Sequence, residues 1–247
     1  TLDRKHKEAN FSYTRTFSDA RYWARVYLSA DYFVQHKQVT VTLPKSLSGW
    51  RIVPRNCGSN IRFTKSATSS DSVFTFTIDS LPPLTDDDNQ PPLSAVHPHF
   101  IVVGPFANVD SLYRWTRGMQ QVDCSLPGQS QLVSSITKGC QTPEEKLSAI
   151  YGWVQRNIRY VAYEAGVSGH RPDRPAEVLR KRYGDCKGMA LLLRTLLRAE
   201  GFDARLAEIG TRDNVTIRMS DFPCLAASNH VICAVMLKGR TYWLDAT

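Results

Sequence analysis

The sequence predicts an α+β protein: an N-terminal antiparallel β-sandwich-like domain, then a core in which a buried helix packs on an antiparallel sheet. Residues 11–106 repeatedly alternate apolar and polar side chains, residues 189–197 are the longest apolar segment, and residues 230–245 have the pattern of a hairpin. Alternation with a period of two is typical of half-buried strands, whereas a segment that is apolar on most sides is typical of a buried helix. At 247 residues the chain is long enough for two domains, which we place at residues 1–123 and 124–247.

The N-terminal domain is predicted from short alternating segments that are separated by turns. The expected strands cover residues 22–28, 39–43, 60–64, 73–78 and 100–103. Residues 81–98 are rich in proline and aspartate without periodicity, so we expect a long exposed loop there. Residues 110–119 are expected to form a short helix that leads into a polar linker at residues 123–130.

The C-terminal domain opens with a strong helix signal. Thr142 is a suitable N-cap, Pro143 occupies the first helical position, and Glu145 lies three residues after the cap. This combination forms a capping box with a proline that suits the first turn. Apolar residues then recur on one face between positions 147 and 158, and residues 166–175 have the composition of a loop.

Cys186 is predicted to lie in the first turn of the buried helix. Gly184 and Asp185 are turn and cap residues before it, and Gly201 is a suitable stop after it. The free N–H groups and the positive end of the helix dipole stabilise a thiolate there, and they can also hold an oxyanion. An inert buried thiol is the alternative, but the polar turn before Cys186 argues against it.

His230 and Asp245 are predicted to be neighbours across the hairpin. If residues 238–239 form a two-residue turn, Asp245 lies opposite Ile232, which shares a face with His230 because strand side chains alternate. The two side chains are then diagonal neighbours, whereas a three-residue loop without a bulge would move Asp245 to the other face. Taken alone, His230 would be an ordinary strand histidine. Residues 212–227 form a long polar loop before it, and we expect this loop to cover a cleft.

A thiol, an imidazole and a carboxylate in this order can supply a nucleophile, its base and the group that orients the base. The ordered segments around them are residues 153–161, 171–172, 177–179, 183–187, 229–231 and 242–247. Together they resemble the bacterial transglutaminase-like superfamily, a branch of the papain-like cysteine enzymes. The resemblance covers about two-fifths of the chain. One departure is Gly188-Met189, where many relatives carry an acidic residue after the lysine.

The resemblance implies a papain/transglutaminase-like core with Cys186 as nucleophile, His230 as base and Asp245 as the orienting group. Further candidates for lining the cleft or the oxyanion site are Trp153, Gln155, Tyr160 and Asn229. Core packing is the alternative for the two aromatic residues, and solvent exposure is the alternative for Gln155. The N-terminal region is similar to the β-rich domain that precedes such cores in envelope proteins of Bacteroides-type bacteria. This similarity implies export to the periplasm or cell envelope, with association with the envelope.

The implied activity is attack on amide or peptide bonds through a thioester, with a protein or peptide as substrate and no cofactor. Water as acceptor makes the enzyme a peptidase or amidase, which we favour because that activity is frequent among the bacterial relatives. An amine as acceptor would make it a protein-glutamine acyltransferase. A non-catalytic envelope binding or assembly module on the same fold is a third interpretation.

Composition argues against several other classes. The net charge of +8 is scattered, without the basic stripe and aromatic platforms that nucleic-acid binding requires. Without Cys186, five cysteines remain, so a complete disulfide framework is excluded and free thiols are expected, although Cys124 and Cys140 could pair in an oxidising compartment. His97 and His99 lack a nearby third ligand, so we predict no metal site. No segment has the pattern of a membrane span or signal peptide, and because the chain does not begin with methionine we interpret it as a piece of a longer protein.

Overall fold

The computed structural model describes residues 10–17, 24–84, 90–104, 106–164, 166–212, 217 and 223–247. Parts of three predicted segments lie outside these residues, namely 22–23 of the first strand, 85–89 of the proline-rich loop and most of 212–222. The described residues form a mixed α and β structure, as the sequence predicts.

The N-terminal region consists of two three-stranded antiparallel sheets and two helices. Its elements are β1 (Arg25–Tyr27), β2 (Val34–Pro44), β3 (Arg51–Arg55), β4 (Ile61–Ala67), β5 (Asp71–Leu81), α1 (Leu93–Val96), β6 (His99–Val103) and α2 (Val109–Met119). One sheet has the order β1-β6-β3 and the other has the order β2-β5-β4. The predicted alternation therefore corresponds to antiparallel strands, with β5 and β6 at the centres of the two sheets.

The two sheets share one apolar core. Phe76 of β5 and Phe100 of β6 are completely buried, and their rings stack with centroids 4.9 Å apart. Phe74 and Ile78 lie two residues on either side of Phe76 and are buried in the same cluster. This spacing follows from the pleat, which turns every second side chain of β5 towards the other sheet.

Two features of this region were not predicted from the sequence. Strand β3 contains Pro54, which cannot donate a ladder hydrogen bond and weakens the sequence signal for a strand. The strand is nevertheless formed because it lies at the edge of its sheet, where it pairs only with β6. The predicted loop at 81–98 contains the short helix α1.

The predicted helix at 110–119 is confirmed as α2, and Asn108 caps it through a reciprocal capping box with Ser111.

The C-terminal region surrounds one central helix. Its elements are α3 (Gln129–Ile136), α4 (Pro143–Asn157), β7 (Arg159–Tyr160), α5 (Pro175–Lys181), β8 (Tyr183–Gly184), α6 (Cys186–Ala199), β9 (Asp203–Ile209), β10 (His230–Leu237) and β11 (Arg240–Leu244). The antiparallel sheet has the order β11-β10-β9, and β7 pairs with β8 in parallel. Helix α6 contacts β9 and β10 as well as α3, α4 and α5.

The local signals that predicted these elements act as expected. The Thr142 side chain accepts a hydrogen bond from the Glu145 backbone N–H, and the Glu145 side chain accepts one from the Thr142 backbone N–H. Helix α4 starts at Pro143. Helix α6 is buried on nearly every side because it is enclosed by the sheet and the three other helices. It ends before Gly201, whose φ of 94° is the left-handed conformation that glycine adopts readily.

The described part of the segment before β10 packs against the N-terminal region. Its described residues 224, 226 and 227 are buried against Ile101 and Val103 of β6. Arg25 of β1 also donates a hydrogen bond of 3.1 Å to the Ala226 carbonyl. This segment therefore joins the C-terminal region to the sheet β1-β6-β3, on the face that carries Ile101 and Val103. Among the described residues, no helix is both long and apolar enough to cross a membrane.

Candidate active site

Cys186 is the first residue of α6 and is almost completely buried, with 3% of its surface exposed. Asp185 caps the helix, and its Oδ1 accepts a 2.8 Å hydrogen bond from the Gly188 N–H. The thiol packs against Ala190 and Val231, the residue that follows His230 on β10. The predicted position at a capped helix N-terminus is confirmed, and it places the thiol beside the start of the histidine strand.

The hairpin has the register that the sequence predicts. Leu237 pairs with Arg240 across a two-residue turn, and Lys238 and Gly239 in that turn have φ values of 50° and 75°. Two positive φ values are typical of the tight turn that matches the twist of a hairpin. The same register continues to the pair of Cys233 and Leu244. The next residue along the chain, Asp245, therefore lies opposite Ile232 and on the same face as His230.

His230 and Asp245 form a direct hydrogen bond. The distance between His230 Nε2 and Asp245 Oδ2 is 2.9 Å. An ionised carboxylate only accepts hydrogen bonds, so Nε2 must carry the proton and Nδ1 of the neutral ring is left as the acceptor. The histidine side chain is 12% exposed, whereas that of Asp245 is 47% exposed. Nδ1 is therefore the nitrogen at which the neutral ring can accept a proton.

Asp245 is held by several groups besides His230. The Thr247 backbone N–H and hydroxyl donate to its Oδ1 at 3.1 and 2.9 Å. Burial alone would raise the pKa of Asp245, but the hydrogen bonds from His230 and Thr247 outweigh it and hold the pKa below its usual value. Asp245 is therefore ionised at neutral pH.

An ion-pair cluster around the buried Lys187 lies beside the thiol. Lys187 is 5% exposed, and its Nζ contacts Asp185 Oδ2 at 2.6 Å and Glu164 Oε1 at 2.8 Å. The same Glu164 oxygen accepts a hydrogen bond from the Cys186 thiol at 3.8 Å. Burial lowers the pKa of Lys187, but its bonds to the two carboxylates outweigh burial and raise it. Two carboxylates and one ammonium thus give the surroundings of the thiol a net negative charge.

The structure differs from the sequence prediction about the charge of Cys186. Burial raises the pKa of the thiol to about 11, and the charges of Asp185 and Glu164 act in the same direction. The Lys187 charge and the Val231 backbone N–H lower it by less than the burial raises it. The expected resting thiolate is therefore not supported, because desolvation and the two carboxylates outweigh the stabilisation expected at the helix N-terminus.

Of the two aromatic residues that were candidates for lining the site, one lies near the thiol and the other packs against the core. Tyr160 lies near the thiol, since burial and then the charges of Cys186 and Glu164 raise its pKa. Trp153 packs against the main core cluster with the Arg182 guanidinium 5.8 Å from its ring centre, which matches the core-packing alternative.

Asn229 and Gln155 have supporting contacts. Asn229 Oδ1 accepts from the Thr211 N–H at 2.9 Å, and its Nδ2 donates to the Thr211 hydroxyl at 2.8 Å. Asn229 thereby links the start of β10 to the residues after β9. Gln155 donates to the Tyr151 hydroxyl at 2.9 Å. The sequence contains no sign of the roles of Glu164 and Tyr151, because nothing local in the chain marks their contacts with Cys186 and Asp245.

The remaining predictions concern thiols and metals. All six cysteines are free, including Cys124 and Cys140. No group of three or more metal-ligating side chains occurs within the part of the chain that the structure describes.

Comparison with known proteins shows what the chain is similar to. Residues 130–246 match the model of the transglutaminase-like superfamily, and no curated protein matches the chain. Among solved structures, the chain is similar to a candidate protease from Parabacteroides distasonis, with a TM-score of 0.72 and 17% identity over 91% of this chain and 43% of that one. The chain therefore spans less than half the length of that protein.

Two further structures are less similar. They are a candidate cysteine protease from Cytophaga hutchinsonii (TM-score 0.40, 12% identity, 90% of this chain and 78% of that one) and the periplasmic domain of TgpA from Pseudomonas aeruginosa (TM-score 0.37, 15% identity, 90% of this chain and 77% of that one). The C-terminal region has a buried helix on an antiparallel sheet, and the TM-score of 0.72 shows that the chain shares its fold with the candidate protease from Parabacteroides distasonis. By its match to the family model, the segment at residues 130–246 is similar to a transglutaminase-like domain.

Proposed function

We propose that this protein is a cysteine peptidase or amidase that uses Cys186, His230 and Asp245. The observation that carries the proposal is the 2.9 Å hydrogen bond between His230 Nε2 and Asp245 Oδ2. Val231, the residue that follows His230 on β10, packs against Cys186. This bond leaves Nδ1 free to accept a proton. The match of residues 130–246 to the transglutaminase-like superfamily supports the same chemistry.

The reaction begins with a neutral thiol. Because the pKa of Cys186 is about 11, His230 Nδ1 takes the thiol proton while the sulfur attacks the amide carbonyl. The backbone N–H of Cys186, one of the free donors of the first helical turn, stabilises the oxyanion by about 3 kcal/mol. The imidazolium then protonates the leaving amine, and the C–N bond breaks to give a thioester. Asp245 stabilises the imidazolium and keeps the ring in its tautomer.

Water completes the cycle. His230 takes a proton from the water that attacks the thioester, the C–S bond breaks, and the proton returns to the sulfur. In this proposal the substrate is a protein or peptide, the steps above use no cofactor, and the protein works in the periplasm or cell envelope. If an amine replaces water at this step, the same residues catalyse acyl transfer.

The proposal is tested with a peptide library and a fluorescent primary amine, both read by mass spectrometry. We expect new peptide termini with the wild-type protein and none with Cys186→Ala or His230→Ala. Cys140→Ala removes a half-buried thiol that has no place in the mechanism and serves as the matched control. Incorporation of the amine without new termini would instead identify an acyltransferase. If neither product forms, the enzyme proposal is wrong, and a non-catalytic binding or assembly module is favoured.

A further inference from the structure

The backbone carbonyl of Asp245 is held by a helix rather than by the sheet. Strand β11 ends at Leu244, so Asp245 lies one residue beyond the ladder. The Tyr151 hydroxyl of α4 donates a 2.6 Å hydrogen bond to the Asp245 carbonyl. Gln155 Nε2 donates to the Tyr151 hydroxyl at 2.9 Å and lies 3.5 Å from the same carbonyl. These contacts join residues that are about ninety positions apart in the chain.

Helix α4 is a rigid support for these contacts. Tyr151 and Gln155 are four residues apart and therefore share a face of the helix. The residues next to them on the inner face, Ile150 and Val154, are completely buried. The Tyr151 ring also packs against the main core cluster, so its hydroxyl has little freedom to move.

The phenol is a donor throughout the relevant pH range. Burial, and then the Asp245 charge, raises the pKa of Tyr151 above its ordinary value. The hydroxyl therefore stays protonated and donates a hydrogen bond to the carbonyl. Asp245 is fixed at three points: its carbonyl by Tyr151, its Oδ1 by Thr247 and its Oδ2 by His230.

We propose that Tyr151, supported by Gln155, is a positioning residue that sets the geometry of the pair formed by Asp245 and His230. The proposal rests on the function proposed above. Without the hydroxyl, the residue after the last strand can rotate, and Oδ2 moves away from Nε2. A displacement of this kind lowers catalysis because proton transfer depends on ring orientation, whereas substrate binding is unaffected.

The test is Tyr151→Phe, which keeps the ring in the core and removes only the hydroxyl. We expect kcat on a cleaved library peptide to fall about 5- to 10-fold with KM unchanged. We also expect the Nε2–H signal of His230, observed by NMR with ¹⁵N-labelled histidine, to shift and broaden. Gln155→Ala changes an exposed residue and should give a smaller effect in the same direction. Tyr242→Phe, on a tyrosine that packs against the same core cluster, should leave both measurements unchanged.

The two readouts separate this proposal from the proposed function. If the wild-type protein cleaves nothing, the function is wrong, but the histidine spectrum still decides whether Tyr151 holds the pair. A Tyr151→Phe protein with the wild-type Nε2–H signal would overturn the positioning role. A loss of kcat that Tyr242→Phe reproduces would also overturn it, because general packing would then be the cause.

Discussion

Glu164→Gln is expected to make Cys186 more reactive. The substitution keeps the shape of the side chain and removes the negative charge of a carboxylate whose Oε1 lies 3.8 Å from the sulfur. It also leaves Lys187 with Asp185 as its remaining carboxylate partner in the cluster. Both changes favour the thiolate over the thiol, so the pKa of Cys186 must fall.

The size of the shift follows from the distance. Two unit charges 3.8 Å apart interact by about 4 kcal/mol at an effective dielectric constant of about 20, which corresponds to about three pKa units. This value is an upper bound, because the Glu164 side chain is 38% exposed and Lys187 already neutralises much of its charge. We therefore expect a fall of about one unit, from the value of about 11 in the wild-type protein.

The assay is the rate of Cys186 alkylation by iodoacetamide as a function of pH, read by peptide mass spectrometry. At any pH below both pKa values, the alkylation rate for Glu164→Gln should be about tenfold higher than for the wild-type protein. The reason is that the thiolate fraction rises about tenfold when the pKa of the thiol falls by about one unit. At high pH, where both thiols are ionised, the two rates should converge.

The matched control is Glu177→Gln. Glu177 is an exposed carboxylate paired with Arg180, so its substitution should leave the alkylation profile unchanged. An unchanged or higher pKa for Cys186 in Glu164→Gln would refute the reasoning. It would mean that desolvation alone keeps the thiol protonated and that the neighbouring carboxylate has no measurable influence.

Three further predictions concern the same site. Lys187→Met leaves two carboxylates without their buried cation, so urea unfolding should show a loss of about 3 kcal/mol, whereas Lys181→Met, at a surface ion pair, should cost less than about 1 kcal/mol. Asp245→Asn can present a donor to His230 Nε2 and select the wrong tautomer, so kcat should fall about 1000-fold while the melting temperature changes little. A fall in kcat that comes with a large fall in the melting temperature would contradict this. Inserting one glycine after Gly239 should shift the hairpin register by one residue and remove the hydrogen bond between His230 and Asp245, as read from the Nε2–H signal. An unchanged signal would show that the turn does not determine the register.

Local patterns were sufficient to predict the elements that carry the three proposed catalytic residues. The turn and cap before Cys186, and the apolar run after it, define α6 within about fifteen residues. The two-residue turn at Lys238-Gly239 defines the register of β10 and β11, which in turn places Asp245 on the face of His230. These signals are reliable because capping, alternation and turn conformation depend on residues that are adjacent or nearly adjacent in the chain.

Other features of the site required the tertiary structure. Glu164 reaches Cys186 from 22 residues earlier in the chain, and Tyr151 reaches Asp245 from 94 residues earlier; no periodicity or spacing marks such contacts. Only the structure shows that Trp153 packs with the core. The charge of Cys186 is the clearest case. The sequence placed the thiol at a helix N-terminus and so predicted a lowered pKa, but the pKa is about 11 because it depends on how completely other elements remove water from the sulfur. Desolvation is a property of the assembled fold, so the sequence determined where the nucleophile lies and the tertiary structure decided its charge.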